Sequence, residues 1–212
     1  MSQGCASIAP ARSFEFFVEA TPENQPWYDK IQDWRERSNA DPNSPVGLPA
    51  TVLSGELTEL DPIPPLWPRF NQFHREYQLE LVRRINAWSQ HWAFRHYIKD
   101  IDESVENDPW PTFSELLEQD GDDCDGLSLL NYELLLLFGF DRNKVYRAVV
   151  QRNSDGVNHM IVLWFQSEND PWVIDITRST SGTVEPISKM HGWQPVAMFN
   201  REGIYNINET KN

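Results

Sequence analysis

Cys124 follows Gly121-Asp122-Asp123 and precedes Asp125-Gly126, just before the apolar run Leu127 to Leu137. A glycine turn with an acidic cap predicts that this cysteine opens a helix. A helix N-terminus presents unpaired N–H groups and the positive end of the macrodipole, and both favour thiolate over thiol. Downstream, His159 opens an apolar strand-like run, and Asp175 interrupts Trp172-Val173-Ile174-Asp175-Ile176. A carboxylate in such a run is costly to bury without a donor, and an imidazole N–H is the natural one. Read singly, Cys124 suits a core position and His159 a structural role. In the order Cys, His, Asp they match the nucleophile, base and orienter of covalent catalysis.

That pairing constrains the strands. Side chains alternate with period two, so His159 and Asp175 share a face only in particular registers. Pairing Ile161 with Asp175 makes His159 a diagonal same-face neighbour, whereas pairing Val162 with Asp175 separates the two.

The cysteine wears an acidic collar. Asp120, Asp122, Asp123 and Asp125 surround it, and their field opposes thiolate formation. Each unit by which they raise the thiol pKa costs about 1.4 kcal/mol of thiolate stability. The helix end and His159 offset this, or a cation does. Four carboxylates within six positions suit a hard ion such as Ca²⁺, with Asp120, Asp123 and Asp125 as the candidate ligands. Helix capping with solvated charge explains the same residues without any metal. For an oxyanion, the Cys124 backbone N–H and one upstream side chain are the expected donors, with Gln119, Asn86 and Trp110 as candidates.

The elements that must position these groups are legible in outline. Residues 1 to 66 are punctuated by nine prolines, which favours a Pro-rich N-terminal extension or arm with a short helix near Trp27 to Arg37. Asp41 to Pro49 reads as a turn-rich linker. Phe14, Phe16, Phe17, Trp27 and Trp34 favour packing of this arm on the remainder, residues 67 to 212. Phe70, Phe73, Tyr77, Leu81, Ile85 and Trp88 recur at three- and four-residue steps, predicting a helix from Phe70 to Ile98 that buries this stripe. Lys99 to Pro111 is an acidic loop, and Pro111 to Glu118 a short helix. The cysteine helix should end at Gly139 and, being apolar nearly all round, lie at the centre. Val145 to Arg152, His159 to Gln166 and Pro171 to Thr177 read as strands, with shorter runs at Pro195 to Phe199 and Gly203 to Ile207. Their short turns dictate antiparallel pairing, so the fold class is α+β.

Composition narrows the function. Nine tryptophans among 212 residues exclude a disordered chain, and the length suits one core. A net charge of −14 argues against nucleic acid and anionic membrane partners, which demand basic patches. No apolar run reaches the roughly 18 residues of a membrane span. Met1 to Pro10 has neither a basic nor an apolar leader pattern, so the expected location is cytoplasmic unless a leader has been removed. A disulfide between Cys5 and Cys124 would consume the nucleophile and is not expected.

Ile85-Asn86, Asp108-Pro109-Trp110-Pro111 and Gly121-Asp122-Asp123-Cys124-Asp125 together resemble the bacterial transglutaminase-like cysteine proteinases, the family of the periplasmic protease that releases large adhesins. Asn158 to Leu163 is similar to its histidine strand, Trp172 to Asp175 to its aspartate strand, and Val184-Glu185-Pro186-Ile187 with Pro195 to Gly203 to its closing segment. The likeness covers about residues 70 to 207. It implies a papain-like, transglutaminase-type core with Cys124, His159 and Asp175 as the triad, and a calcium site among the acids flanking the cysteine. Gly126 stands where the family has an acid, and Gly121 stands three positions before the cysteine. Residues 1 to 66 lie outside the likeness and are candidates for docking a substrate or partner.

The leading expectation is a cysteine endopeptidase that cleaves a protein or peptide through a thioester acyl-enzyme, with no cofactor required and calcium as an option. The same triad performs transglutaminase or amidase chemistry when an amine resolves the thioester. A protein-binding module with an idle triad is the non-enzymatic alternative.

Overall fold

The computed structural model describes residues 12–45, 67–99, 109–119 and 121–210. The expectations for Cys5 and Asp120, and for most of the loop after Lys99 and part of the linker after Asp41, lie outside the described residues. Seven strands form one antiparallel sheet: β1 (Ser13–Glu19), β2 (Val145–Arg152), β3 (Asn158–Trp164), β4 (Trp172–Ile174), β5 (Glu185–Pro186), β6 (Trp193–Phe199) and β7 (Ile204–Thr210). Their order is β1-β7-β6-β2-β3-β4-β5. Among the described residues four α-helices accompany them: α1 (Tyr28–Ala40), α2 (Trp67–His96), α3 (Phe113–Glu118) and α4 (Cys124–Leu137). The expected α+β class holds. No described helix is long and apolar enough to cross a membrane.

Helix α4 is the centre of the molecule, as its composition requires. Leu127, Leu129 and Leu135 are fully buried, each contributing about 1.5–3 kcal/mol of apolar burial. They pack with Val145, Val149, Met160, Val162 and Trp164 from one sheet face. Gly139 ends the helix at φ 85°. The Gly139 N–H donates to Leu136 O and the Phe140 N–H to Leu135 O, the paired bonds of a Schellman motif.

The described part of the N-terminal region is woven into the same layers. β1 is the edge strand beside β7. The sequence offered aromatic residues there but no strand pattern, because a bulge between Glu15 and Val18 breaks the alternation. Phe17 sits in the bulge at φ 63° and packs on Tyr146, Phe165 and Tyr205. From α1, fully buried Trp34 donates its indole N–H to Pro111 O and sits edge-on to Tyr132 and Phe199.

Helix α2 corrects one expectation. Of the predicted stripe, Phe73, Tyr77 and Trp88 are exposed, and Ile85 is buried. The buried face is Val82, Ile85, Asn86, Ser89, Gln90 and Ala93. Small and polar side chains let α2 approach α4 closely, and Asn131 Nδ2 donates to Asn86 Oδ1 between them at 3.2 Å. A hydrophobicity pattern cannot see a face built this way.

Candidate active site

Cys124 opens α4 because Asp123 caps it. The Asp123 Oδ1 accepts the Asp125 N–H at 3.0 Å, and Asp122 Oδ1 accepts the Asp123 N–H at 2.8 Å. The preceding turn is pinned to the end of α2. Asp122 N–H donates to His96 O and Ile98 N–H to Asp122 O, each at 3.0 Å. A Cβ on Gly121 would meet His96 O at 2.2 Å, so only glycine permits this approach.

His159 and Asp175 are joined. The His159 Nε2 lies 3.1 Å from Asp175 Oδ1, with both side chains buried. The register is the one compatible with this pair. Val162 opposes Ile174, Leu163 opposes Val173 and Trp164 opposes Trp172, so Ile161 falls level with Asp175 at the strand end. Asp175 takes four further hydrogen bonds. Thr177 N–H and Oγ1 reach Oδ1 at 2.9 Å each, and Thr180 N–H and Oγ1 reach Oδ2 at 2.6 and 2.8 Å. Burial opposes ionisation of Asp175, but the His159 contact and the Thr180 bonds outweigh it and hold the carboxyl below its ordinary range. The two threonines were not foreseen; Thr177 and Thr180 flank a loop whose chain path no strand pattern reveals.

Cys124 and His159 line one open cleft of about 1320 Å³, with Trp27, Trp110 and Trp193 among its walls. Trp193 packs on the His159 ring at 5.5 Å between centroids. Since Nε2 serves Asp175, Nδ1 is the imidazole nitrogen left for a thiol. Burial pushes the Cys124 thiol well up, and the charges of Asp123 and Asp125 add to it, while the Met160 N–H favours the thiolate. The thiol donates to Asp123 Oδ2 at 4.0 Å. Burial and the collar thus both oppose the thiolate that the helix end was expected to favour.

Asp122, Asp123 and Asp125 each offer a carboxylate oxygen within 4.8 Å of the other two. Asp125 is buried, and burial together with Asp123 pushes its carboxyl well above the ordinary range while Arg147 opposes the shift. Three like charges this close, one out of solvent, need a proton or a cation between them. The donor set is all hard oxygen and fits Ca²⁺. Asp122 was one of the four acids the sequence set around the cysteine but not one of the three named as ligands, and the turn geometry places it with Asp123 and Asp125.

Of the three oxyanion candidates, Trp110 borders the cleft, its ring stacked on Phe199. Asn86 is buried against Asn131, and Gln119 is exposed beside the end of α3, away from the cleft lining. Behind α4 lies fully buried Arg147, whose Nη2 donates to Asp125 O at 2.7 Å and whose guanidinium stacks over Trp34, Trp110 and Phe199. Burial lowers its pKa to about 10, while Asp125 and Glu133 work to keep it charged.

No family model and no curated relative matches the chain. Solved structures do. Legionella pneumophila LapG is similar at a TM-score of 0.54 and 15% identity, over 77% of this chain and 88% of that one. Its calcium-bound form gives 0.51 at 15% identity over 75% and 88%, and its EGTA-treated form 0.53 at 16% over 75% and 86%. Identity this low carries the fold alone. The chain has the transglutaminase-like fold of LapG.

Proposed function

We propose that this protein is a transglutaminase-like cysteine endopeptidase in which Cys124 attacks a peptide carbonyl, His159 moves the proton and Asp175 orients the ring. The observation that carries this reading is the buried His159–Asp175 pair on the cleft that Cys124 also lines. In the proposed reaction His159 Nδ1 takes the thiol proton as sulfur bonds to the carbonyl carbon. The resulting oxyanion faces the start of α4, where the Cys124 N–H is the expected donor. As the intermediate collapses, His159 returns the proton to the leaving nitrogen, and the C–N bond breaks to leave a thioester. Water, deprotonated by the same imidazole, then releases the acid and restores the thiol. An amine in place of water gives the transglutaminase outcome.

Ca²⁺ on Asp122, Asp123 and Asp125 belongs to the same proposal, supported by the carboxylate cluster and by the existence of a calcium-bound form of LapG. A bound divalent cation supplies positive charge beside the sulfur and so turns the field of the collar toward thiolate. The chain's own part is to hold the three oxygens together through the Asp122 and Asp123 caps.

The test is cleavage of a denatured protein mixture, with and without an added primary amine and with and without a chelator. Cleavage that vanishes in both Cys124→Ala and His159→Ala supports the protease, and amine incorporation without cleavage supports the transferase. Protein bound yet neither cut nor labelled, with Cys124 no more reactive to alkylation than an ordinary thiol, supports the binding module instead.

A further inference from the structure

We infer that Arg178, held by Gln90, reads an acidic side chain of the substrate on the leaving-group side of the cleft. The inference rests on the protease reading for its substrate class. Arg178 lies three residues beyond Asp175, is exposed and lines the cleft. Its backbone sits at φ 65°, a left-handed conformation that a long side chain adopts only when its surroundings impose it.

Gln90 supplies those surroundings. This glutamine is 5% exposed on the buried face of α2. Its Nε2 donates to Asp175 O at 2.8 Å and to Gly182 O at 3.4 Å, at the two ends of the loop. Its Oε1 accepts the Arg178 Nε–H at 3.1 Å. One buried amide thus fixes both the loop and the guanidinium stem. The bond to Nε leaves the two terminal Nη groups, a planar fork suited to a carboxylate.

Of the other basic side chains of the cleft, Arg152 is paired with Asp155 through two bonds of 2.8 and 2.7 Å, Lys30 lies over the Trp110 ring, and Lys99 is exposed beyond the end of α2. Arg178 makes no ion pair among the described residues. In a chain of net charge −14, an anchored cation without a carboxylate partner in the cleft is an asymmetry that favours an acidic guest. Its place also decides which half of the substrate it meets. To protonate the leaving nitrogen His159 must stand on that side of the scissile bond, and Thr177 Oγ1 lies 3.2 Å from His159 Nε2 with Arg178 next in the chain.

The test separates this subsite from catalysis. Full-length Cys124→Ala protein, and the same protein also carrying Arg178→Glu, are immobilised and offered acetylated octapeptides in which each position in turn is Asp, Ala or Lys. The expected result is retention of Asp over Lys by about tenfold at one or two adjacent positions, reversed by Arg178→Glu at those positions alone. Arg178→Gln, measured alongside, abolishes the preference and keeps the result readable if the glutamate variant does not fold. Equal retention of Asp and Lys, no retention at all, or a preference that survives Arg178→Gln overturns the subsite. The unmodified chain is then given the same peptides. Peptides bound with an acid preference yet left uncut sink the protease reading and leave the subsite standing. Cleavage without charge preference does the reverse.

Discussion

Asp122 places its Oδ2 where a side chain on residue 126 would have to be: a Cβ added to Gly126 would lie 2.1 Å from that oxygen. Gly126 thereby makes room for an acid supplied from four residues earlier, and the Asp122 carboxylate joins those of Asp123 and Asp125 in one cluster.

The first prediction tests that packing. Gly126→Ala should normally stabilise a helix by about 0.5–1 kcal/mol. Here the methyl group must displace Asp122, so we expect Ca²⁺ affinity to fall by about tenfold, with little or no gain in melting temperature in chelator. Calorimetric titration with Ca²⁺ reads the effect. Unchanged affinity would mean that Asp122 is not a ligand.

Asp175 is held by five hydrogen bonds, of which His159 supplies one. Asp175→Asn should lower kcat by a hundredfold or more, on the order seen when a triad acid loses its charge, because the imidazole loses its anchor and its counter-charge. Thr180→Ala removes a single hydroxyl bond and should cost about 1 kcal/mol of stability. The Asp175 carboxyl should also rise toward its ordinary value, moving the acid limb of the activity profile to higher pH. An acid limb that stays in place would show that Thr180 does not tune Asp175.

Glu133, fully buried on α4 and paired with Arg201 at 2.5 Å, is pushed up to about 7, chiefly by burial with Arg201 opposing. The native state thus keeps this proton to higher pH than the unfolded chain, where the value is 4.5. Its contribution to stability is complete below pH 4.5 and is lost as pH rises to 7. Across that window Glu133→Gln should gain stability relative to the parent, by about 3 kcal/mol at most. Thermal unfolding of both proteins from pH 4 to 8 checks it. A difference that stays constant with pH would rule the effect out.

Arg147 is a cation buried beneath the collar. Arg147→Met keeps most of the volume but loses the planar stacking group and leaves Asp125 O without its donor, and should cost about 1–3 kcal/mol in chelator. Removing a positive charge behind Asp125 should at the same time tighten Ca²⁺ binding several-fold. Weaker Ca²⁺ binding would instead mark Arg147 as a scaffold for the cluster, with no role as its electrostatic rival.

How much was legible in the sequence differs by element. Gly121, Asp123 and the leucine run announced a capped, central helix because caps and apolar blocks act locally. The strands from Val145 onward, β5 apart, were readable because short apolar runs stand between close turns. The α2 face was misread, since Asn86, Ser89 and Gln90 are buried by a partner helix that no local pattern describes. β1 was missed for a related reason: its strand exists only by pairing with β7, nearly two hundred residues away.

The sequence by itself determined which chemistry-bearing groups the chain owns and which elements carry them. Cys124 opens a helix, His159 lies in one strand, and Asp175 follows the next, which ends at Ile174 and not at the expected Thr177. Only the tertiary structure decided the relations between them. It chose the strand register that lets His159 reach Asp175, it gathered Thr177, Thr180 and Gln90 around that acid, and it set the Asp122 carboxylate against Gly126 beside those of Asp123 and Asp125. The division has one physical cause. Caps, turns and apolar periodicity depend on neighbours along the chain, whereas burial, counter-charges and hydrogen-bond partners depend on neighbours in space.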